Sequence, residues 1–164
     1  MYDIIIIGGG PAGLSCAYYL AEKGYANVTV FEKNKKPGGM MVYGIPSFKL
    51  EKNVVEAEID VIKEMGVEIR CGVEVGKDIT LDQMRDEGYK AFYIAIGCQG
   101  GRAAGVAGED AGGVMPAVDF LHKAAEGEAE KLTGRAVVIG GGNVAIDVAR
   151  TAGRLGVSEV SMYC

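Results

Sequence analysis

Residues 4–33 read IIIIGGGPAGLSCAYYLAEKGYANVTVFEK, and this stretch decides the fold. The run from Asp3 to Ile7, closed by glycine, suits a strand buried on both faces of a parallel sheet. Pro11 in the first turn, Leu14, Ala17, Tyr18 and Ala21 at helical spacing and Gly24 as a stop predict a helix over 11–24. NVTVFEK, residues 27–33, then returns as a second strand, so the stretch is one βαβ unit. Gly8, Gly10 and Gly13 have the G-x-G-x-x-G spacing. The first allows a tight turn, the second a bare backbone against pyrophosphate, and the third close helix–strand packing. The partial positive charge at the helix N-terminus favours the anion. Glu32 lies 19 residues beyond Gly13, where a carboxylate can accept hydrogen bonds from a ribose diol. Strand, glycine turn, helix and acid in this order read as a dinucleotide site, with flavin or nicotinamide left open by the spacing.

Outward from that unit, residues 33–49 are a loop punctuated by glycine and proline. Val54, Val55, Ile59, Ile62 and Met65 mark an amphipathic helix ending at Gly66. VEIRCGVEV, 67–75, offers two short strand pieces. Thr80 and Gln83 form a capping-box start to a short helix, and KAFYIAIG, 90–97, reads as another buried strand. Residues 98–113 are glycine-rich loop, 116–127 a short helix carrying His122 at an exposed position, and 126–134 a polar connector. The domain boundary is expected near Gly134, with residues 1–133 as one domain and 134–164 as the start of another. Lys33, Lys49 and Glu109 are read as solvated charges.

VVIGGGNVAIDVAR, 137–150, repeats the opening. At an offset of 132 residues, Ile7 to Gly10 falls without a gap on Ile139 to Gly142, Gly13 on Ala145, Gly24 on Gly156, Phe31 on Tyr163 and Glu32 on Cys164. The chain therefore carries two dinucleotide turns. A domain of ordinary size would need about 100 residues beyond the second, so the chain is expected to be a fragment. The incomplete second domain is expected to dock on the first domain or on another chain, a second copy included, or else to be mobile.

Composition narrows the partners. The 26 glycines among 164 residues are about twice the usual share of ~7 %, and they cluster where backbone must turn or approach something closely. A net charge of −5 without a basic block argues against nucleic acid and anionic membrane surfaces. The apolar run at the start is too short to span a bilayer and lacks the flanks of a secretory signal, which points to a cytoplasmic protein. Cys16, Cys71, Cys98 and Cys164 form no C-x-x-C pair, so they mark no local metal site or dithiol and are expected to be reduced thiols.

Taken in order, GGGPAG, FEK, PGGMMVYGIPSFKL, YIAIGCQGGR and GGGNVAID resemble the small (beta) subunit of glutamate synthase and its relatives. Those relatives are the flavin domain of dihydropyrimidine dehydrogenase and the bifurcating ferredoxin:NADP oxidoreductases. The resemblance covers essentially the whole chain. It implies an α/β architecture: a Rossmann-like FAD-binding domain, a parallel sheet of βαβ units, followed by the start of a second Rossmann domain for NAD(P). It assigns Gly8, Gly10, Pro11, Ala12 and Gly13 to the FAD pyrophosphate, Glu32 with Lys33 to the adenosine ribose, and Gly38, Gly39 and Met40 to the flavin side. Gly44, Ile45 and Pro46 continue that wall, and Val75 meets the adenine through its backbone. Ala95, Ile96 and Gly97 match an A-T-G segment, although Ile96 replaces the usual threonine, and a buried strand end is the competing explanation. Gly140, Gly142 and Ala145 match the nicotinamide-cofactor turn, with Asn143 and Val144 at the helix start and Asp147 in its first turn.

Alanine as the third small residue favours NADP over NAD, as does the absence of an acid at Cys164, but no arginine is present there to meet a 2′-phosphate. The resemblance implies an NAD(P)H-linked, FAD-dependent oxidoreductase in which hydride passes to the flavin and electrons pass on to an iron–sulfur protein, domain or larger subunit. The cofactor carries the chemistry and the protein orients it, so no catalytic side chain is nominated. Two alternatives are a non-catalytic FAD-binding or assembly module and a thioredoxin-reductase-like flavoprotein, against which GGMMVYGIPSFKL argues.

Overall fold

The computed structural model describes residues 3–129 and 132–164; part of the expected 126–134 connector lies outside them. The chain divides into two compact units, one of residues 1–42 and 50–97, the other of residues 43–49 and 98–164.

In the first unit, β1 (Ile4–Ile7), β2 (Val28–Glu32), β3 (Glu68–Cys71) and β4 (Ala91–Ile94) form a parallel sheet in the order β3-β2-β1-β4. The crossovers carry α1 (Pro11–Glu22), α3 (Lys52–Glu64) and α4 (Leu81–Asp86). Order reverses at β1, whose neighbours are β2 on one side and β4 on the other. The carboxyl end of β1 is thus the topological switch point at which open α/β sheets bind ligands. β1 and β2 are buried along their whole length, with Ile5, Ile6 and Val30 fully enclosed; each such side chain contributes about 1.5–3 kcal/mol. α1 lays Gly13, Leu14 and Ala17 on the sheet, and α3 buries Val55, Ile59 and Ile62. A further cluster joins Ile5, Ile7, Phe31 and Met84 to Val73, Val75, Ile79 and Phe92. The expected capping box is present, Thr80 Oγ1 accepting from the Gln83 N–H and the Gln83 side chain from the Thr80 N–H.

In the second unit, β5 (Arg135–Ile139) and β6 (Glu159–Tyr163) pair in parallel through α6 (Asn143–Arg154), and α5 (Ala117–Glu126) packs on α6. That packing groups residues 98–129 with the second turn, so the compact units follow a different line from the boundary expected near Gly134.

Several local expectations are corrected. β4 is an edge strand and mostly exposed, Ile94 at 64 %, because its apolar run has a neighbour on one side only. The loop over 33–49 contains a short helix, α2 (Met40–Tyr43). The second strand piece near Val75 is reduced to an isolated bridge with Ile79. Lys49 and Glu109 are engaged: Lys49 pairs with Asp147, and Glu109 accepts the N–H groups of Ala104 and Gly105. His122 is half-buried and stacked on Tyr43, since the helix face that looked solvated in sequence meets the returning 43–49 segment. Asp147 lies in the second turn of α6, and it is buried.

Candidate functional site

Three of the glycine motifs converge at the carboxyl end of β1. Gly8 leaves the strand with φ +108°, and a Cβ there would stand 2.3 Å from the Ala95 carbonyl oxygen. The IAIG segment therefore abuts the first turn through its backbone. Gly13 presses against the same turn: a Cβ would stand 1.9 Å from the Gly8 carbonyl oxygen and 3.0 Å from Ile6 Cγ2. The second loop motif closes from the other side. The Gly38 N–H donates to the Gly9 carbonyl at 2.7 Å, and a Cβ on Gly39 would be 2.8 Å from Gly10 Cα. Met40 and Lys33 are exposed, Pro11 and Ala12 stand exposed at the helix start, and Val75 contributes its side chain to the core.

Gly10 differs from Gly8, Gly13 and Gly39. Its backbone, φ −81° and ψ −176°, is ordinary extended conformation, and the nearest atom to an added Cβ is Gly39 Cα at 3.8 Å. No steric demand of the fold requires glycine there. The first helical bond runs from the Leu14 N–H to the Gly10 carbonyl, so the N–H groups of Ala12 and Gly13 precede the ladder, and no side chain caps the helix. A helix start with free N–H groups has the chemistry to hold an anion, and a side chain at Gly10 would occupy the space in front of it.

Glu32 ends β2 beside the first turn. It is 4 % exposed, and its two oxygens accept the N–H groups of Gly9 and Asn34, each at 2.8 Å. A carboxylate offers about four lone-pair sites, so acceptor capacity remains for a diol. Two residues on, the carboxamide nitrogen of Asn34 is buried without a hydrogen-bond partner. Sequence reasoning passed over Asn34, because an asparagine among lysines in a loop has no periodic or motif signal. A buried orphan donor costs about 1–3 kcal/mol unless something accepts from it, which suits a sugar or base oxygen at this place.

The second turn reproduces the first in its own unit. The Gly140 N–H donates to the Tyr163 carbonyl at 2.7 Å, as Gly8 does to Phe31 at 2.8 Å. Ile146 bonds to Gly142 at 3.1 Å as Leu14 does to Gly10 at 2.9 Å. Cys164 Cβ would meet a Cβ on Gly141 at 3.1 Å, as Glu32 Cβ would meet one on Gly9 at 3.2 Å. Every pair is separated by the 132-residue offset read from the sequence. Gly142 again has ordinary backbone, φ −79° and ψ 176°, with no atom within 4 Å of an added Cβ. Ala145 is buried where Gly13 stands in the first unit, and Asn143 and Val144 are exposed at the helix start. Asp147 is not free for a ligand: Lys49 Nζ donates to Oδ1 at 2.9 Å and Oδ2 at 3.1 Å. Gly44 is buried and Ile45 and Pro46 half-buried in the segment that brings Lys49 there.

An open cleft of about 440 Å³, lined by Asp3, Thr29, Glu68 and Arg70 among others, lies at the amino ends of the first unit's strands, away from the first turn. Its charges satisfy each other: Arg70 donates to both Glu68 oxygens and holds that carboxyl below its usual range. Among the described residues no cluster could hold a metal ion, and no helix is long and apolar enough to cross a membrane. The four cysteines are unpaired; Cys98 and Cys164 are exposed, whereas burial pushes the Cys16 and Cys71 thiols up. Alkylation at neutral pH should therefore modify Cys98 and Cys164 about tenfold faster than the other two, since the thiolate is the nucleophile and access limits it. Peptide mass mapping over time measures the order.

The sequence profile of pyridine nucleotide-disulphide oxidoreductases matches residues 2–163. The chain is 46 % identical over 162 residues to the NADP(+)-dependent formate dehydrogenase subunit beta of Moorella thermoacetica, covering 97 % of this chain and 23 % of that protein. It is 42 % identical over 159 residues to the NAD-dependent dihydropyrimidine dehydrogenase subunit PreT of Salmonella typhimurium, covering 96 % of this chain and 38 % of that one. With the glutamate synthase (NADPH) small chain of Halomonas elongata it shares 41 % identity over 168 residues, 96 % of this chain and 35 % of the relative. The chain thus spans well under half the length of each. Among solved structures, Mycobacterium tuberculosis FprA in complex with NADPH superposes with a TM-score of 0.81 at 26 % identity, over 98 % of this chain and 42 % of FprA. Sequence profile, relatives and doubled βαβ geometry agree that the chain belongs to the pyridine nucleotide-disulphide oxidoreductase family.

Proposed function

We propose that the chain forms the FAD-binding region, residues 1–133, and the opening βαβ unit, residues 134–164, of the nicotinamide-binding region of an NAD(P)H-linked flavin oxidoreductase. The observation that carries this is the pair Gly10 and Gly142: glycines in ordinary backbone, each at a bare helix start, with space where a side chain would stand. Absent side chains that the fold itself does not demand are explained by a ligand approaching the main chain.

Gly8, Gly10, Pro11, Ala12 and Gly13 would hold the FAD pyrophosphate through the helix start. Glu32 and Asn34 would hold the adenosine ribose, with Lys33 beside them and Val75 beyond. Gly38, Gly39 and Met40 would form the near wall, with Ala95, Ile96 and Gly97 across the switch point; by the resemblance alone, Gly44, Ile45 and Pro46 would also meet the flavin. Gly140, Gly142, Asn143, Val144 and Ala145 would take the second pyrophosphate, and Asp147 would serve from behind the loop. Bound FAD would supply the hydride-accepting and electron-releasing chemistry. The chain supplies binding and orientation.

NADP(H) is favoured over NAD(H), because Cys164 occupies the place of Glu32 and brings no carboxylate against a 2′-phosphate. The relatives include both an NADP- and an NAD-dependent protein by name. Several are named as subunits or chains of larger enzymes, which supports an electron-accepting partner, an iron–sulfur protein, domain or larger subunit, in the same cytoplasmic compartment.

The deciding experiment is anaerobic addition of NADPH to the FAD-loaded chain. Bleaching of the flavin absorbance is expected, with NADPH protecting Cys164 but not Cys98 from alkylation. Flavin that binds but never bleaches would support a non-catalytic FAD module instead.

A further inference from the structure

Residues 43–49 are continuous at both ends with the first unit yet pack in the second, and they grip both of its helices. Tyr43 is buried and stacks on His122 of α5, ring centroids 4.5 Å apart and planes at 17°. Phe48 lies under two guanidinium groups of α6, Arg150 at 4.3 Å and Arg154 at 4.0 Å from the ring centroid. Lys49 holds both oxygens of Asp147, whose side chain is 10 % exposed.

Asp147, Arg150, Thr151 and Arg154 follow the i, i+3, i+4, i+7 pattern of one helix stripe. Two arginines at i and i+4 repel each other, and a shared aromatic face offsets that by cation–π attraction. A buried carboxylate is unfavourable without a partner, and Lys49 is that partner. The stripe is therefore made for residues 43–49, and these residues for it.

From this geometry we propose that residues 43–49 are a strap that fixes α6, and with it the glycine turn at 140–142, so that Lys49 is a positioning residue for the nicotinamide nucleotide without touching it. This rests on the second turn holding that nucleotide, as set out under Proposed function. Helix α6 starts at the turn, and its first N–H groups are the anion donors. A helix held rigidly by its second to fourth turns presents those donors in fixed directions before the ligand arrives, and pre-organisation of this kind is a gain in affinity.

The test compares the chain with its Lys49→Met, Lys49→Arg and Lys49→Met/Asp147→Asn variants, using amide hydrogen exchange and titration with NADPH and with FAD. Lys49→Met is expected to speed exchange over residues 143–147 by roughly tenfold or more, as Asp147 is left buried and unpaired. The same variant should weaken NADPH about tenfold and FAD by less, while leaving exchange in α1 unchanged. Lys49→Arg should restore both readouts, and the double variant should recover part of the protection because the uncompensated charge is gone. Unchanged exchange over 143–147, or acceleration that is equal in α1, overturns the strap. Should the unmodified chain fail to bind NADPH, the assignment of the second turn fails, while the exchange data still decide the strap.

Discussion

Gly10→Ala should give a chain that folds as before and no longer holds FAD, while Gly13→Ala should fail earlier, at folding. The two glycines are three residues apart in one motif, but their surroundings differ. At Gly13 a methyl group would stand 1.9 Å from the Gly8 carbonyl oxygen, and backbone cannot yield as a side-chain tip can. Overpacking ordinarily costs about 1–3 kcal/mol. A backbone clash belongs at or above the top of that range, a large part of a total stability of about 5–15 kcal/mol. A fall in Tm of about 10 °C or more is expected, since each 1 kcal/mol moves Tm by roughly 4–8 °C in a cooperative unit of about 60–100 residues, the size class of the first compact unit. At Gly10 the backbone already suits an L-residue and the space is open, so stability should change by about 1 kcal/mol or less, with a slight gain as possible as a loss. FAD affinity should fall at least about a hundredfold, or ~2.7 kcal/mol, because the methyl group occupies the approach to the helix N–H groups. Thermal unfolding and flavin fluorescence quenching on the two variants separate these outcomes. Undiminished FAD binding by Gly10→Ala would remove the main support for the proposed function.

The second large effect is expected at Glu32. Its buried carboxylate accepts the N–H groups of Gly9 and Asn34, so Glu32→Ala strands two donors. Each stranded donor costs about 1–3 kcal/mol, and the variant should lose about 2–6 kcal/mol of stability together with measurable FAD binding. Glu32→Gln tests the ligand role more narrowly. Its carboxamide oxygen can serve one of the two N–H groups, but its NH₂ faces the other donor and offers nothing to a ribose hydroxyl. Intermediate stability with FAD affinity reduced about tenfold or more is expected, the loss being that of a charge-assisted hydrogen bond. Denaturant unfolding and FAD titration read the two quantities separately, and a Glu32→Gln chain that binds FAD like the parent would exclude the carboxylate as the ribose acceptor.

What could be read from the chain alone was local and periodic. The buried strand Ile4–Ile7, the helix after Pro11, the capping box at Thr80 and the two glycine turns all depend on neighbours within a few positions, whose effect on backbone conformation is direct. The 132-residue offset is also a property of the string, and the paired hydrogen bonds Gly8 to Phe31 and Gly140 to Tyr163 are its consequence, because like sequences at like spacing close like turns. The resemblance supplied the cofactor assignments that spacing left open. Tertiary structure decided the rest. An apolar run such as Ala91–Ile94 reads the same whether it lies inside a sheet or at its edge, and only the strand order made it an edge. Lys49 and Asp147 are 98 positions apart, as unrelated in sequence as any two surface charges, until the chain returns through residues 43–49 to α6. Which glycine guards a backbone contact and which faces open space was likewise invisible in GGGPAG, because that distinction is a distance to other atoms of the folded chain.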